Sequence, residues 1–369
     1  MKIKFFSAVI FISLAVTANS QTNHNVSGDS ICFICPPCNL PCDTIQFQKP
    51  GICPYCGMKL YASYSAYRNK NGEHHDNIEK KVAVVLFPGV EIIDFSGPWE
   101  VFGAAGMNVF SVAASDTVIA TSMGLQLKPD YSFSNAPAAD IIVVPGGNVD
   151  VGDTTTVQWI KSMNSKTEHT MSVCTGSFYL AAGGLLDNLK STTHFSSIKA
   201  LQQFTPHTHV VDTVRYVDNG RIITSAGLSA GIDAAFHVVS LYIGKGETKK
   251  LANDLEYNWN EDEQFVRGKL ADKYVSGFLN ALTPFDYTMI DYKGNESKWL
   301  VTLSLKTELS QHELEKLFAY QFEIANGWKQ TQRKNNWFFS EDGKRWNVSI
   351  ELNRKTNESY YLKLNVAAQ

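Results

Sequence analysis

Residues Thr170–Asp187 read TMSVCTGSFYLAAGGLLD. A short strand pattern, Thr170–Val173, runs into one cysteine, Cys174. Thr175-Gly176 follows, and then an apolar stretch, Gly176–Leu186, with helical character. A strand–nucleophile–helix turn exposes one side chain at a helix start, and the glycine allows close backbone packing. Working outward, Lys81–Phe87 (KVAVVLF) and Asp140–Val144 (DIIVV) are continuous β-branched runs, as expected of strands buried on both faces. Val109–Ala114 reads as a further strand. Pro98–Ala105, Thr154–Met163 (with Trp159 and Ile160 inward), His194–Phe204 and Gly231–Ile243 read as helices. Asp218-Asn219-Gly220 is a hairpin signal between Val210–Val217 and Arg221–Ser225. This alternation predicts an α/β fold: a mainly parallel sheet with helices on both faces.

The chain has 369 residues, which predicts two or three domains at roughly 100–200 residues each. Hydrophobic residues make up 44% and charged residues 19%, so a sizeable core is possible and wholesale disorder is excluded. The net charge of −3 leaves no global basic field, so nucleic acid is not an expected partner. The expected segments are a signal peptide (1–20), a Cys-rich module (21–62) and a polar linker with His74 and His75 (63–80). The α/β domain (81–245), a helical connector (246–281) and a small α+β domain (282–369) follow. In the last, Lys298–Lys306 alternates as a strand. Ser310-Gln311-His312-Glu313 is a capping box. Trp337–Ser340, Trp346–Leu352 and the alternating Tyr360, Leu362, Leu364 and Val366 complete a β-α-β-β-β order. Its many aromatics read most simply as core, and its role is not legible.

Met1–Ser20 has the form of a secretory signal peptide: Lys2 and Lys4, an apolar Phe5–Val16, then Ala18-Asn19-Ser20 before Gln21. The apolar run is shorter than the ~20 residues that a bilayer span needs. Export to a periplasmic or secreted location is expected, with no membrane span.

Of the seven cysteines, six fall between Cys32 and Cys56, while Cys174 stands alone. Cys35-Pro36-Pro37-Cys38 and Cys53-Pro54-Tyr55-Cys56 are C-x-x-C units separated by fourteen residues. Cys35, Cys38, Cys53 and Cys56 make a tetrahedral metal site one reading, with Zn2+ or another heavy-metal ion bound. Gly57 suits a knuckle turn needing positive φ. Cys32/Cys35 or Cys38/Cys42 are alternative pairs. Disulfides are the competing reading in an exported chain. The segment Cys35–Leu60, ending PGICPYCGMKL, resembles zinc-ribbon-like heavy-metal-binding modules. Those carry Met-His in the first half, where this chain has Cys and Pro.

Three segments end predicted parallel strands, on the edge where open α/β sheets place their sites. Cys174 is one, and a helix N-terminus there is expected to lower its thiol pKa. Gly146 and Gly147 of Pro145-Gly146-Gly147 offer N–H groups to a developing anion. Asp94, between Ile93 and Phe95, is an acid in apolar surroundings, suited to acid–base work; a helix N-cap is its plainer role. Gly97-Pro98 punctuates the expected helix start, and Glu91 is a competing acid.

Five ordered blocks resemble the ThiJ/PfpI superfamily, with its class I glutamine-amidotransferase-like, flavodoxin-type fold. They are FPGVEIIDFSGPWEVF (Phe87–Phe102), VVPGG (Val143–Gly147), SVCTGSFYLAAGGLLD (Ser172–Asp187), TTHF (Thr192–Phe195) and ITSAGLSAGIDAAFHVV (Ile223–Val239). The resemblance is to isonitrile hydratases and to the amidotransferase-like domain of AraC-type regulators. It implies Cys174 as nucleophile, Asp94 as its acidic partner and Thr175 as a further catalytic residue. It also implies Gly147 and Thr175 N–H groups as an oxyanion hole, and Gly146 and His194 at the pocket. It implies a small-molecule substrate, no cofactor for this domain and a homodimer. Protease-like members carry His directly after the cysteine; Thr175 stands there here.

Overall fold

The protein is described by a computed structural model covering residues 31–35, 40–64, 79–260, 265–325, 327–341, 343–356 and 358–369. The expected signal peptide, Cys38, and His74 and His75 of the linker lie outside the described residues. The chain divides into two compact units, 1–76 and 77–369. Among the described residues no helix is long and apolar enough to cross a membrane.

The first unit holds a small antiparallel sheet in which Ile31–Ile34 pairs with Gln46–Phe47 on one side and Tyr61–Tyr64 on the other. Cys35, Cys42 and Cys53 are buried with Leu60. Among the described residues Phe33, Ile45, Phe47 and Met58 pack against this group, a small core of the kind that ordinarily needs a cross-link as well.

The second unit opens with the predicted alternation. In chain order it has β1 (Lys81–Val85), α1 (Ile92–Ala104), β2 (Asn108–Ala113), β3 (Tyr131–Ser132), β4 (Ile141–Val144) and α2 (Thr154–Asn164). Then come β5 (His169–Val173), α3 (Ser177–Ala182), α4 (Ile198–Phe204), β6 (Tyr216–Asp218), β7 (Ile222–Ser225) and α5 (Ser229–Asp254). The sheet order is β6-β7-β5-β4-β1-β2-β3. All neighbours are parallel except β6 and β7, the hairpin turned by Asn219-Gly220. Val82–Val85 and Ile141–Val144 are fully buried, which is why their sequence is apolar without alternation. Helices α1 and α5 pack together on one face, and α2 and α3 together on the other. This is a flavodoxin-like α/β fold.

Three helices differ from expectation. Gly97-Pro98 does not start α1: the helix begins at Ile92 and carries Pro98 inside it. Proline there forgoes one backbone bond. In return Gly97 lets α5 come close, since a Cβ on Gly97 would lie 2.7 Å from Ile232. The helix after Cys174 also ends early, at Ala182, where Gly183-Gly184 follows; Gly184 has φ 72°. Helix α5 outruns its expected end but breaks at Gly244, with φ 79°.

The last part of the chain is a six-stranded antiparallel sheet. Its order is Asp286–Gly294, Lys298–Lys306, Ser359–Ala368, Lys344–Thr356, Asn336–Glu341 and Lys329–Gln330. The expected capping box at Ser310 and Glu313 opens the helix Gln311–Tyr320, whose Leu314 and Phe318 join Phe322 in a second core. Phe322 stacks on both Phe278 and Trp337, so these aromatics are core. The expected order β-α-β-β-β omits the strand Asp286–Gly294. That strand is nearly all exposed, and an irregularity between Met289 and Asp291 breaks its alternation.

Candidate functional site

Strand β5 delivers Cys174 to the carboxyl edge of the sheet. The residue has φ 55°, a left-handed conformation that costs a non-glycine residue on the order of 1–3 kcal/mol. Two hydroxyls hold it there: Thr193 Oγ1 donates to the Cys174 carbonyl at 2.9 Å, and Ser177 Oγ donates to it at 3.2 Å. Main chain surrounds the residue. A Cβ on Gly227 would lie 2.8 Å from Cys174 Cβ and 3.1 Å from its sulfur. A Cβ on Gly146 would meet Cys174 Cβ at 2.8 Å, and one on Gly176 would lie 2.1 Å from the Val144 carbonyl oxygen. Glycine at these positions is therefore a matter of space.

Asp94 lies in the first turn of α1 and is fully buried. It is not the N-cap; Glu91 is, and the Glu91 carboxylate accepts from Ser122 Oγ at 2.8 Å. The Asp94 carboxylate accepts from Leu228 N–H at 2.9 Å and from Gly146 N–H at 3.2 Å, and it pairs with the Cys174 thiol. Burial pushes Asp94 up to about 6, and these hydrogen bonds only partly offset it. Burial and then the Asp94 carboxylate push the Cys174 thiol up to about 12. The expectation of a lowered thiol pKa is thus reversed. The Thr175 N–H does bear on the sulfur and lowers it, but burial and a facing carboxylate outweigh a short helix. Both groups are pushed toward their protonated forms by burial, and because they face each other they titrate as a coupled pair.

Of the expected oxyanion donors, the Thr175 N–H faces the sulfur. The Gly147 N–H is engaged elsewhere: it donates to Thr175 Oγ1 at 3.0 Å, and that hydroxyl donates back to the Gly147 carbonyl at 3.0 Å. Gly146 serves the site by holding Asp94. His194 follows Thr193 at the rim. Its Nδ1 pairs with Ser196 Oγ at 2.8 Å, and burial, then Arg267, hold its pKa below the ordinary value. Cys174, Asp94, Thr175 and Gly146 are therefore brought together, while His194 makes its hydrogen bond away from the thiol. The Gly227-Leu228 turn escaped the sequence reading. Leu228 has φ 51° and donates to Asp94, so this turn holds the acid in place. Its signals were the glycine of Ala226-Gly227-Leu228 and its place in the Ile223–Val239 block.

The other candidate site is in the first unit. The sulfur atoms of Cys35, Cys42, Cys53 and Cys56 lie within 4.8 Å of one another. Cys35 and Cys56 are 3.1 Å apart, and Cys42 and Cys35 are 4.0 Å apart. Tetrahedral zinc with four thiolates needs sulfur separations of about 3.8 Å, so the donor set fits such an ion. Gly57 has φ 75°, and its N–H donates to the Cys53 carbonyl at 2.9 Å, which is the expected knuckle turn. Among the described residues Cys42 joins Cys35, Cys53 and Cys56, as the alternative pair Cys38/Cys42 allows, while Cys38 lies outside the described residues. Cys32 is buried in the first strand, outside this group.

Comparison with known proteins agrees with the α/β site. The description DJ-1/PfpI family matches residues 80–241. The chain is 33% identical to an isonitrile hydratase of Pseudomonas putida over 183 residues, covering 48% of this chain and 78% of that enzyme. It is 27% identical over 200 residues to the HTH-type transcriptional regulator GbdR of Pseudomonas aeruginosa, covering 53% of this chain and 54% of the regulator. Among solved structures, a ThiJ/PfpI family protein from Pseudomonas syringae aligns with a TM-score of 0.46 at 27% identity, covering 50% of this chain and 78% of that one. With three quarters of the hydratase spanned and a cysteine elbow facing a buried acid, the chain belongs to the DJ-1/PfpI family.

Proposed function

We propose that this protein is an exported, cysteine-dependent hydratase of small C–N compounds, with isonitriles as the substrate class. The observation that carries the reading is the Cys174–Asp94 pair, a buried thiol against a buried carboxylate at the sheet's carboxyl edge. The similarity to an isonitrile hydratase supports the substrate class. Asp94 takes the thiol proton as sulfur forms a bond to the terminal isonitrile carbon, and then delivers that proton to the same carbon. This gives an enzyme-bound thioimidate, R–N=CH–S–Cys174. Water adds to its carbon, the C–S bond breaks, and the products are R–NH–CHO and the free thiol. The Thr175 N–H faces the sulfur and stabilises the charge that builds there as the thiol proton leaves for Asp94. The test is proton NMR of the purified protein with a panel of small isonitriles. Appearance of the N-substituted formamide is expected; no turnover across the panel overturns the reading.

A second reading is a non-enzymatic protein that binds a small ligand and responds to a metal or to oxidation. Similarity to regulators and the four-cysteine cluster favour it. Zn2+ is the ion proposed for that cluster, in a structural or metal-sensing role. Tight metal binding without turnover on isonitriles, amides or dicarbonyls would support it.

A further inference from the structure

The segment leading into the last domain bears on both loops that hold the Cys174–Asp94 pair, through Arg215 on one side and directly on the other. On one side, Arg215 Nη1 donates to the Phe265 carbonyl at 3.0 Å. The same guanidinium grips the start of α5, pairing with Asp233 and donating to Ser229 Oγ at 3.1 Å. Ser229 directly follows Leu228, whose N–H holds Asp94. On the other side, the Arg267 guanidinium lies 4.1 Å over the Phe195 ring. Phe195 is two residues from Thr193, whose hydroxyl holds the Cys174 carbonyl. Arg267 is itself fixed by a two-pronged bond to Asp272, each arm 2.7 Å, and Asp272 is buried in the turn that packs on the second core. Tyr292, from the first strand of the last sheet, donates to the same carboxylate.

We propose that Phe265–Arg267 is a brace across the two site loops and that Arg267 is a positioning residue for Cys174 and Asp94, which makes the last domain part of the thiol site. Its effect on turnover rests on the hydratase reading; its effect on the thiol does not. Loosening the brace exposes a thiol whose raised pKa comes chiefly from burial, so the thiol becomes more reactive. It also degrades the pairing with Asp94, so turnover slows. General loosening of the fold would also speed labelling and slow turnover, so labelling is read against pH: loosening this brace lowers the pH at which Cys174 begins to label, which a change in fold stability alone does not.

The test uses the full chain and the variants Arg267→Gln and Phe195→Leu, which remove the stack from either side. Lys273→Ala is the reference: it breaks the Lys273–Asp212 ion pair, 2.9 Å, without touching the rim loops. Iodoacetamide labelling of Cys174 is followed across pH by peptide mass spectrometry, well below each melting temperature. Both brace variants are expected to label about fivefold faster or more, with kcat on an isonitrile about tenfold lower and KM within about twofold. Lys273→Ala is expected to stay near wild type. Unchanged labelling in both brace variants, faster labelling that begins at an unchanged pH, or an equal change in Lys273→Ala, overturns the proposal. Should the wild type turn over no isonitrile, the hydratase reading fails and labelling alone decides the brace.

Discussion

One residue type is used in two ways here, and the surroundings account for the difference. In the first unit four cysteine sulfurs converge within 4.8 Å, in a module with few apolar contacts. Such a group gains most from a shared cation, which makes ion binding part of folding. In the α/β domain a single cysteine meets a carboxylate inside a large core, and the thiol is driven to keep its proton. On the readings proposed above, the first arrangement would hold a chain together through an ion, and the second would prepare a proton transfer. Cysteine chemistry follows from what faces the sulfur.

Replacing Cys174 with Ala gives the sharpest break. Turnover of isonitriles should fall by at least ~1000-fold, since no other group supplies the nucleophile, while metal content by elemental analysis stays at the wild-type ratio. Full turnover in that variant would end the covalent mechanism. Asp94→Asn comes next. Turnover should fall about 100-fold or more, but labelling of Cys174 at pH 8 should speed up, because the carboxylate that raises the thiol is gone. A slower labelling rate would show that Asp94 activates the thiol in its resting state. The pH profile follows from the same pair. Asp94 must be ionised to accept the proton, so kcat/KM should fall as pH drops through about 6. The sign for stability is opposite. A folded-state pKa above the unfolded value favours the fold at low pH, and that advantage is lost as pH rises through about 6. In the cluster, Cys42→Ser should lower bound zinc and Cys32→Ser should leave it unchanged, with turnover within about twofold in both. Equal zinc in the two variants would remove Cys42 from the ligand set.

The sheet was legible because strands buried on both faces must be apolar throughout, as Val82–Val85 and Ile141–Val144 are. The Cys174 elbow and its facing acid were legible from position, since Cys174 directly follows β5 and Asp94 opens the helix after β1. What was illegible depended on distance in space. Gly97-Pro98 looks like a helix start in one dimension, but its glycine serves a contact with Ile232 across two helices. The acidity of Cys174 was read from the helix behind it, while the deciding groups, burial and Asp94, come from a segment eighty residues earlier. The turn at Gly227-Leu228 has no composition that announces a bond to Asp94. The strand Asp286–Gly294 was hidden by an irregularity in its own alternation.

The glycines around Cys174 have a consequence for variation. Gly146, Gly176 and Gly227 present only backbone around Cys174, and any side chain there would collide with the nucleophile or with the strand behind it. Point substitution at these positions can close the site but cannot retune it. On the hydratase reading, new specificity would have to come from side chains outside this backbone shell, such as Leu228, which is 41% exposed in the turn that holds Asp94. On that reading, substrate range would drift in the loops around the pair while the thiol and carboxyl stay enclosed by the same backbone.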